Sequence, residues 1–359
     1  MTTIPIYLYY IIVFVLALST CLYGVPRIIK LANRKHIFDN PDSERKMHAN
    51  KVPNLGGIGI FFSFIIIASL FIAAPIADKW GYIVAGSIIL FIVGVKDDLS
   101  LVSAYKKLLA QIIAAFIFVY FADIRIHSLQ GLFGVYDLSY WLSVLFSTIG
   151  CAFIINAVNL IDGIDGLAGS FTALTTFLLG ICFAGMNLKG DAIIAFTMSG
   201  AIIGFLRYNI APAKVFMGDS GSLVIGYIIA VLSILLINSN SEVAPSHRFT
   251  HSTQGLEIIA LSFLFIPAFD CFRVFIARSI KGISPFRADR NHLHYYLLDT
   301  GLSQSQSVFV IIISNMLIIL LAFCLQDINP TITIACLSLI ASILTLIAYS
   351  GSKRKKKGV

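Results

Sequence analysis

Charge is scarce in this chain: only 12% of its 359 residues are Asp, Glu, Lys or Arg, against 58% hydrophobic. A mean hydropathy of +0.90 lies far above that of a water-soluble globular protein, so a soluble enzyme is excluded and a membrane protein remains. Paired cysteine is missing too. Cys21, Cys151, Cys182, Cys271, Cys324 and Cys336 fall in apolar runs with no C-x-x-C pair and no metal-like spacing, and they read as buried hydrophobes. Without a Walker loop or a Rossmann fingerprint, ATP or a dinucleotide bound in those ways is set aside. No convincing repeat and no low-complexity linker is present. The N-terminal Met-Thr-Thr-Ile-Pro has no positive n-region, so the first apolar run is expected to stay as a span with its N-terminus outside.

What the chain has in quantity is apolar length. Eleven stretches can cross about 30 Å of hydrocarbon at roughly 20 residues each. They cover 4–25, 55–76, 80–95, 105–122, 141–158, 169–185, 191–206, 222–238, 257–275, 305–325 and 331–350. The expected fold is an all-α polytopic integral membrane protein with about eleven transmembrane helices. Its catalytic domain would occupy residues 1–350 and a basic cytoplasmic tail 351–359. With the N-terminus outside, 21 Lys and Arg fall on the cytoplasmic side and four on the other, with Arg273 at the end of span nine. That asymmetry supports a cytoplasmic C-terminus, and an active site is expected on the cytoplasmic face because the carboxylates described next gather there. The run Lys353 to Lys357 reads as an anchor against anionic lipid, and no nucleic-acid partner is expected.

Ten of the eighteen carboxylates also fall on the expected cytoplasmic side, several right at span ends, where charge is costly and functional by default. Asp97 and Asp98 close span three. Two adjacent carboxylates repel, and a helix C-terminus favours cations, so a metal ion or a proton-transfer role accounts for the pair better than a solvated end. Asn156, Asn159 and Asp162 recur every three residues and share a face if the helix continues, before Gly163, Asp165 and Gly166 turn the chain. Oxygen ligands of this kind suit a hard cation such as magnesium, and the amides can also read a nucleobase edge. Lys214-Val-Phe216-Met-Gly-Asp219-Ser-Gly-Ser leads into span eight and pairs a carboxylate with a helix start, an arrangement suited to an anion carrying its own metal.

The string Gly-Asp-Ser-Gly also surrounds protease serines. All seven histidines lie in loops, however, and Phe216-Met-Gly-Asp lacks the first glycine of the aspartyl intramembrane protease pattern, so proteolysis is set aside. Two basic loops remain: Arg45-Lys46-Met-His48 before span two, and Arg287-Ala-Asp289-Arg290-Asn-His292-Leu-His294 after span nine. Both concentrate donors suited to phosphate. His-x-His without a third ligand is a weak zinc signal. The combination fits phosphoryl transfer between a soluble phosphate donor and a lipid phosphate, in which the protein mainly positions partners and neutralises charge. A cation-coupled transporter is the second reading; it predicts ionisable residues in mid-span, and Asp270 is the nearest such residue. A non-catalytic lipid-binding or scaffold protein is the third.

Taken in order from about residue 45 to 294, five motifs resemble the polyprenyl-phosphate N-acetylhexosamine-1-phosphate transferases. They are Arg45-Lys-x-His48, Asp97-Asp98, Asn156-x-x-Asn159-x-x-Asp162-Gly-x-Asp165-Gly-Leu, Phe216-Met-Gly-Asp219-Ser-Gly and Asp289-Arg-x-His292-x-His294. The resemblance implies transfer of a sugar-1-phosphate from a UDP-sugar to undecaprenyl phosphate with magnesium, manganese being a substitute, and release of UMP. The loop Ser284-Pro-Phe-Arg-Ala-Asp-Arg-Asn-His-Leu-His is similar to the branch that uses UDP-N-acetylglucosamine to start O-antigen, common-antigen or teichoic-acid linkage units. The branch that uses UDP-MurNAc-pentapeptide carries consecutive histidines there, which this chain lacks.

By matched motif, the resemblance implies that Asp219 and Asn159 ligate magnesium, joined by Asp98, and that Asp97 deprotonates or orients the lipid phosphate. Asp162 joins Asp97 and Asp98 as a catalytic candidate. Phe216 and Asp165 would read uracil, with Asn156 and Lys214 on the nucleotide-sugar side. Lys107, Arg290, His292 and His294 would hold the diphosphate and amino sugar; Arg45, Lys46 and His48 would receive the lipid phosphate. The implied location is the bacterial inner (cytoplasmic) membrane as a multi-pass protein, with a homodimer as an allowed assembly.

Overall fold

The computed structural model describes residues 5–37, 52–72, 76–242, 255–284 and 289–356. Each expected span corresponds to a helix or a broken pair: α1 (Ile6–Lys35), α2 (Gly56–Phe71), α3 (Ala77–Leu99), α4 (Ala104–Phe116, continued by a π turn Ile117–Phe121), α5 (Tyr140–Leu160), α6 (Leu167–Gly185), α7 (Lys189–Asn209), α8 (Asp219–Glu242), α9 (Leu256–Phe263), α10 (Phe265–Ile280), α12 (Gln304–Cys324) and α13 (Pro330–Lys356). A short helix, α11 (Leu293–Asp299), precedes α12. Eight of these are long and apolar enough to cross a membrane, and nine if α9 and α10 form one span. The chain is therefore a polytopic helical membrane protein.

Helix α8 is the axis. Its run Leu223-Val-Ile-Gly-Tyr-Ile-Ile-Ala-Val-Leu is buried on every side, as expected of a helix apolar all round. Helices α2, α3, α5, α6 and α9 pack around it, and α1 closes the outside against α7 and α2. The entry of α8 is held by α2. Gly56 N–H donates to Phe216 O at 2.9 Å, Gly57 N–H to Met217 O at 2.8 Å, and Phe216 N–H to Pro53 O at 2.9 Å. Gly57 lies so close to Gly221 that a side chain on it would strike the α8 backbone.

Three features differ from the all-helix expectation. Strands β1 (Ser128–Leu132) and β2 (Val135–Asp137) form an antiparallel hairpin between α4 and α5, so the described chain is not purely helical. Phe133 and Gly134 turn it with positive φ, and Phe133 N–H donates to Thr331 Oγ1 at 2.9 Å, tying the hairpin to α13. The ninth segment is broken: α9 and α10 meet at 74°. Buried Asn315 of α12 serves the break, donating to Phe263 O and accepting from Ile266 N–H, while Thr175 Oγ1 also donates to Phe263 O. Exposed backbone at such a break is tolerated in a membrane only when neighbours satisfy it. Finally, α13 runs past residue 350 to Lys356, and Ser352 Oγ donates to Asp299 Oδ2 at 3.3 Å.

Candidate active site

Four helix ends meet around Asp219. Gly218, at φ 72°, turns the chain into α8 where a side chain would meet the Asp98 carboxylate. Asp98, in the last turn of α3, caps α8 from outside: its Oδ1 accepts from Asp219 N–H at 2.7 Å and from Asn54 Nδ2 at 3.2 Å, and its Oδ2 from Ser220 N–H at 3.1 Å. A carboxylate is the favoured partner of a helix N-terminus. The position disfavoured at the end of α3 is thus explained by the start of α8.

Neighbouring Asp97 turns the other way. Its Oδ1 accepts from Val102 N–H at 2.7 Å, which closes the short loop to α4. Its Oδ2 meets Lys107 Nζ at 3.1 Å, and the same ammonium lies 2.7 Å from Asp219 Oδ2. Asn159, in the last turn of α5, donates through Nδ2 to Asp219 Oδ1 at 3.1 Å and to Ser222 Oγ at 2.8 Å. One turn further in, Asn156 Nδ2 donates to Gln111 Oε1 at 2.6 Å, and Gln111 shares a face of α4 with Lys107 at spacing i,i+4. Asp162 sits just past α5. Burial, followed by the carboxylates of Asp219, Asp98 and Asp165, pushes it well above the usual carboxylate range.

Asp165 is buried and ties its turn to the chain before α8, accepting from Ala213 N–H at 2.9 Å through Oδ2. Its own N–H donates to Gln304 Oε1 at 2.8 Å, in the first turn of α12. Phe216 is half-buried beside the α2 entry. Lys214 is exposed, and no bond joins it to the Asp219 cluster. Arg45, Lys46 and His48 lie outside the described residues.

A second group lies along α10 and the start of α11. His292 Nδ1 is 2.8 Å from Asp270 Oδ2, and Asp270 Oδ1 accepts from Leu293 N–H at 3.1 Å and from Arg273 Nη2 at 2.7 Å. Arg273 Nη2 also donates to Asn291 O at 2.6 Å. Arg278 holds Asp289 bidentately at 2.9 and 3.0 Å. Burial opposes ionisation of Asp289, yet hydrogen bonds from Arg278 and Asn291 bring its pKa down to about 2. Arg290 Nη2 lies 3.5 Å from Asp299 and its guanidinium covers the Tyr295 ring. His294 stacks on His292 at 5.8 Å, and burial pushes its imidazole down to about 3, so it is neutral at ordinary pH. Its Nε2 is buried with no hydrogen-bond partner among the described residues and faces Gly163, which joins this group to the Asp162 turn.

Asn54, Gln111, Ser222, Asp270, Arg273 and Arg278 are the residues to which the sequence reading gave no role in this site. Ser222 and Gln111 had a usable signal, the first in the Gly-Asp-Ser-Gly-Ser string and the second one turn after Lys107. Asp270, the one residue that had favoured a transporter, is buried against three donors at the edge of this site.

A divalent cation fits the donor set in one respect. Among the described residues no three His, Cys, Asp or Glu surround a common point, because the Lys107 ammonium stands between Asp97 and Asp219. Magnesium needs only one or two carboxylates when substrate phosphates complete its shell, and Asp219 with the Asn159 amide supplies that minimum.

Residues 80–237, which carry α3 to α8 and the Asp219 cluster, match the model of glycosyl transferase family 4. The chain is 30% identical over 298 residues to the undecaprenyl-phosphate alpha-N-acetylglucosaminyl 1-phosphate transferase of Escherichia coli K12, covering 80% of this chain and 76% of that protein. It is 28% identical over 344 residues to a probable undecaprenyl-phosphate N-acetylglucosaminyl 1-phosphate transferase of Bacillus subtilis, covering 94% and 91%. A decaprenyl-phosphate N-acetylglucosaminephosphotransferase of Mycobacterium tuberculosis is 31% identical over 290 residues, covering 75% and 70%. Apolar helices that end in an acidic cluster bridged by a single lysine, in a chain with these relatives, define a membrane glycosyl-1-phosphate transferase. The chain belongs to glycosyl transferase family 4.

Proposed function

We propose that this enzyme transfers N-acetylglucosamine-1-phosphate from UDP-N-acetylglucosamine to undecaprenyl phosphate, releasing UMP and forming the lipid diphosphate sugar that starts a cell-surface glycan. The observation that carries the reading is the Lys107 ammonium shared by Asp97 and Asp219, with Asn159 on the other Asp219 oxygen, where apolar helices end. The names of the relatives support both the lipid acceptor and the amino sugar. The excess of Lys and Arg on one side supports a cytoplasmic orientation of the site, and the bacterial relatives support the inner (cytoplasmic) membrane.

In this reaction an oxygen of the lipid phosphate attacks the β-phosphorus of the donor, and the bond from that phosphorus to the bridging oxygen breaks, the oxygen leaving with UMP. Asp97 orients the incoming lipid phosphate or takes its proton. Lys107 exchanges its carboxylate partners for the donor diphosphate, which charge-assisted bonding favours. Asp219 and Asn159 would hold magnesium, which supplies charge neutralisation at the diphosphate. Arg290 and the His292 and His294 pair face the donor from the α11 side. Asp98 keeps α8 in place as its cap.

Purified protein in detergent with undecaprenyl phosphate, magnesium and a panel of UDP-sugars, UDP-MurNAc-pentapeptide included, tests this. Lipid-dependent UMP release from UDP-N-acetylglucosamine is expected, with a loss on the order of 10²–10³-fold in Asp219→Asn at unchanged thermal stability. Release from another sugar alone would replace the donor; failure of folded protein to release UMP from any donor would overturn the reading.

A further inference from the structure

Asp270 is a carboxylate placed in an apolar segment, where burial is costly unless partners compensate it. It is 3% exposed and so is His292. Both its oxygens are engaged: Oδ1 by Leu293 N–H and Arg273 Nη2, both obligate donors, and Oδ2 by His292 Nδ1. Because a carboxylate only accepts, the ring nitrogen facing it must carry the proton. His292 Nε2 is then the ring atom left for another partner.

We propose that Asp270 is a positioning residue for the donor site: it fixes the Nδ1–H tautomer and the orientation of His292, so that Nε2 is presented to the nucleotide-sugar. The proposal rests on the donor role assigned to His292 above. The surrounding geometry explains how a helix within the bundle reaches that loop. The 74° break after α9 redirects α10, and from one side of α10 Asp270, Arg273 and Arg278 hold His292, Asn291 and Asp289 in turn. The break itself is fixed by Asn315 and Thr175. The charged and titratable groups gathered at the ring are Asp270 and Arg273 from α10, with His294 and Arg290 from the α11 side.

Asp270→Asn is the diagnostic change because it keeps the shape and reverses one hydrogen bond. The amide oxygen must stay with Leu293 N–H and Arg273, which need an acceptor. The NH2 group therefore faces His292 and forces Nδ1 to accept, moving the ring proton to Nε2. With histidine labelled in ¹⁵N and the His292 signals assigned by His292→Gln, the wild-type protein is expected to show protonated Nδ1 and unprotonated Nε2, and Asp270→Asn the reverse. Donor KM is expected to rise at least about 10-fold in Asp270→Asn, the usual scale for losing the partner that orients a functional histidine, with a smaller change in kcat. A wild-type His292 protonated at Nε2, or an Asp270→Asn enzyme with reversed tautomer and unchanged donor KM, would overturn the proposal. If Asp270→Asn does not fold, the wild-type tautomer decides the question alone. Correct tautomers in a protein that releases no UMP from any donor would instead count against the proposed function.

Discussion

Two charged regions meet at the Asp162 to Gly163 turn, and they are built on opposite principles. Around Asp219 four carboxylates, Asp97, Asp98, Asp162 and Asp219, are gathered with the ammonium of Lys107. Around His292, three carboxylates, Asp270, Asp289 and Asp299, meet three guanidinium groups, those of Arg273, Arg278 and Arg290. The first region carries excess negative charge in a partly buried place, which is unfavourable until a cation arrives. Among the described residues the second balances three carboxylates against three guanidinium groups, so its charges brace a loop. Chemistry is expected where the charges fail to balance, and positioning where they do.

The comparison is broken most directly at Lys107. Lys107→Gln removes the ammonium between Asp97 and Asp219 and leaves the acidic group further from neutrality. A unit charge pair near a protein surface is worth about 4 kcal/mol at 4 Å, so Mn²⁺ binding without donor is expected to tighten at least about tenfold. Sugar-phosphate transfer should fall at the same time, since the donor diphosphate loses its ammonium partner. Metal titration by electron paramagnetic resonance separates the effects; weaker metal binding in the variant would mean that Lys107 does not compete with a cation.

A steric change in the same region should cost less. Gly57→Ala drives a methyl group into the α8 backbone at Gly221, whereas Gly150→Ala meets nothing within 4 Å among the described residues. Overpacking of this kind costs about 1–3 kcal/mol. The Gly57 variant is expected to melt several degrees lower and lose activity, because the start of α8 carries Asp219, while the Gly150 variant should match the wild type. Equal melting of the two would refute the close approach.

The balanced region has its own pH signature. Asp289 has its pKa depressed to about 2 by Arg278 and Asn291, against 3.8 for the free group. A depressed folded-state value means that the stabilisation is present above 3.8 and is lost as pH falls towards 2. Asp289→Asn should therefore melt below the wild type at neutral pH, with the gap closing between pH 4 and 2. A gap independent of pH would assign the effect to packing.

How far the sequence revealed these regions depends on the range of the contacts. Apolar runs are local, so all eleven segments are found as helices, although the 74° break at Leu264 and the hairpin at 128–137 are not visible in hydropathy. The motif residues Asp97, Asp98, Asn159 and Asp219 were legible because costly groups at span ends stand out. Their arrangement was not. Asn54 reaches Asp98 across 44 positions, Asp98 reaches the α8 backbone across 121, and Lys107 reaches Asp219 across 112. Such pairings depend on helix register, which no local period encodes. Asp270 shows the same limit: read alone it is an ionisable residue in a span, and only His292, 22 positions on, gives it a purpose.

The mildest test lies where the two regions come closest in role. Arg290 belongs to the balanced group but is its loosest member, 41% exposed and 3.5 Å from Asp299, whereas Arg278 is 5% exposed and doubly bonded to Asp289. An exposed pair of that kind contributes about 0–1 kcal/mol to stability. Arg290→Ala should therefore leave the melting temperature unchanged and raise donor KM with little change in kcat, as expected when a group binds the ground state and the transition state alike. Arg278→Gln should do the reverse, lowering the melting temperature first. If Arg290→Ala instead lowers kcat alone, Arg290 acts on the reacting phosphorus, and the line between a reacting acidic region and a bracing balanced one must be redrawn at Arg290.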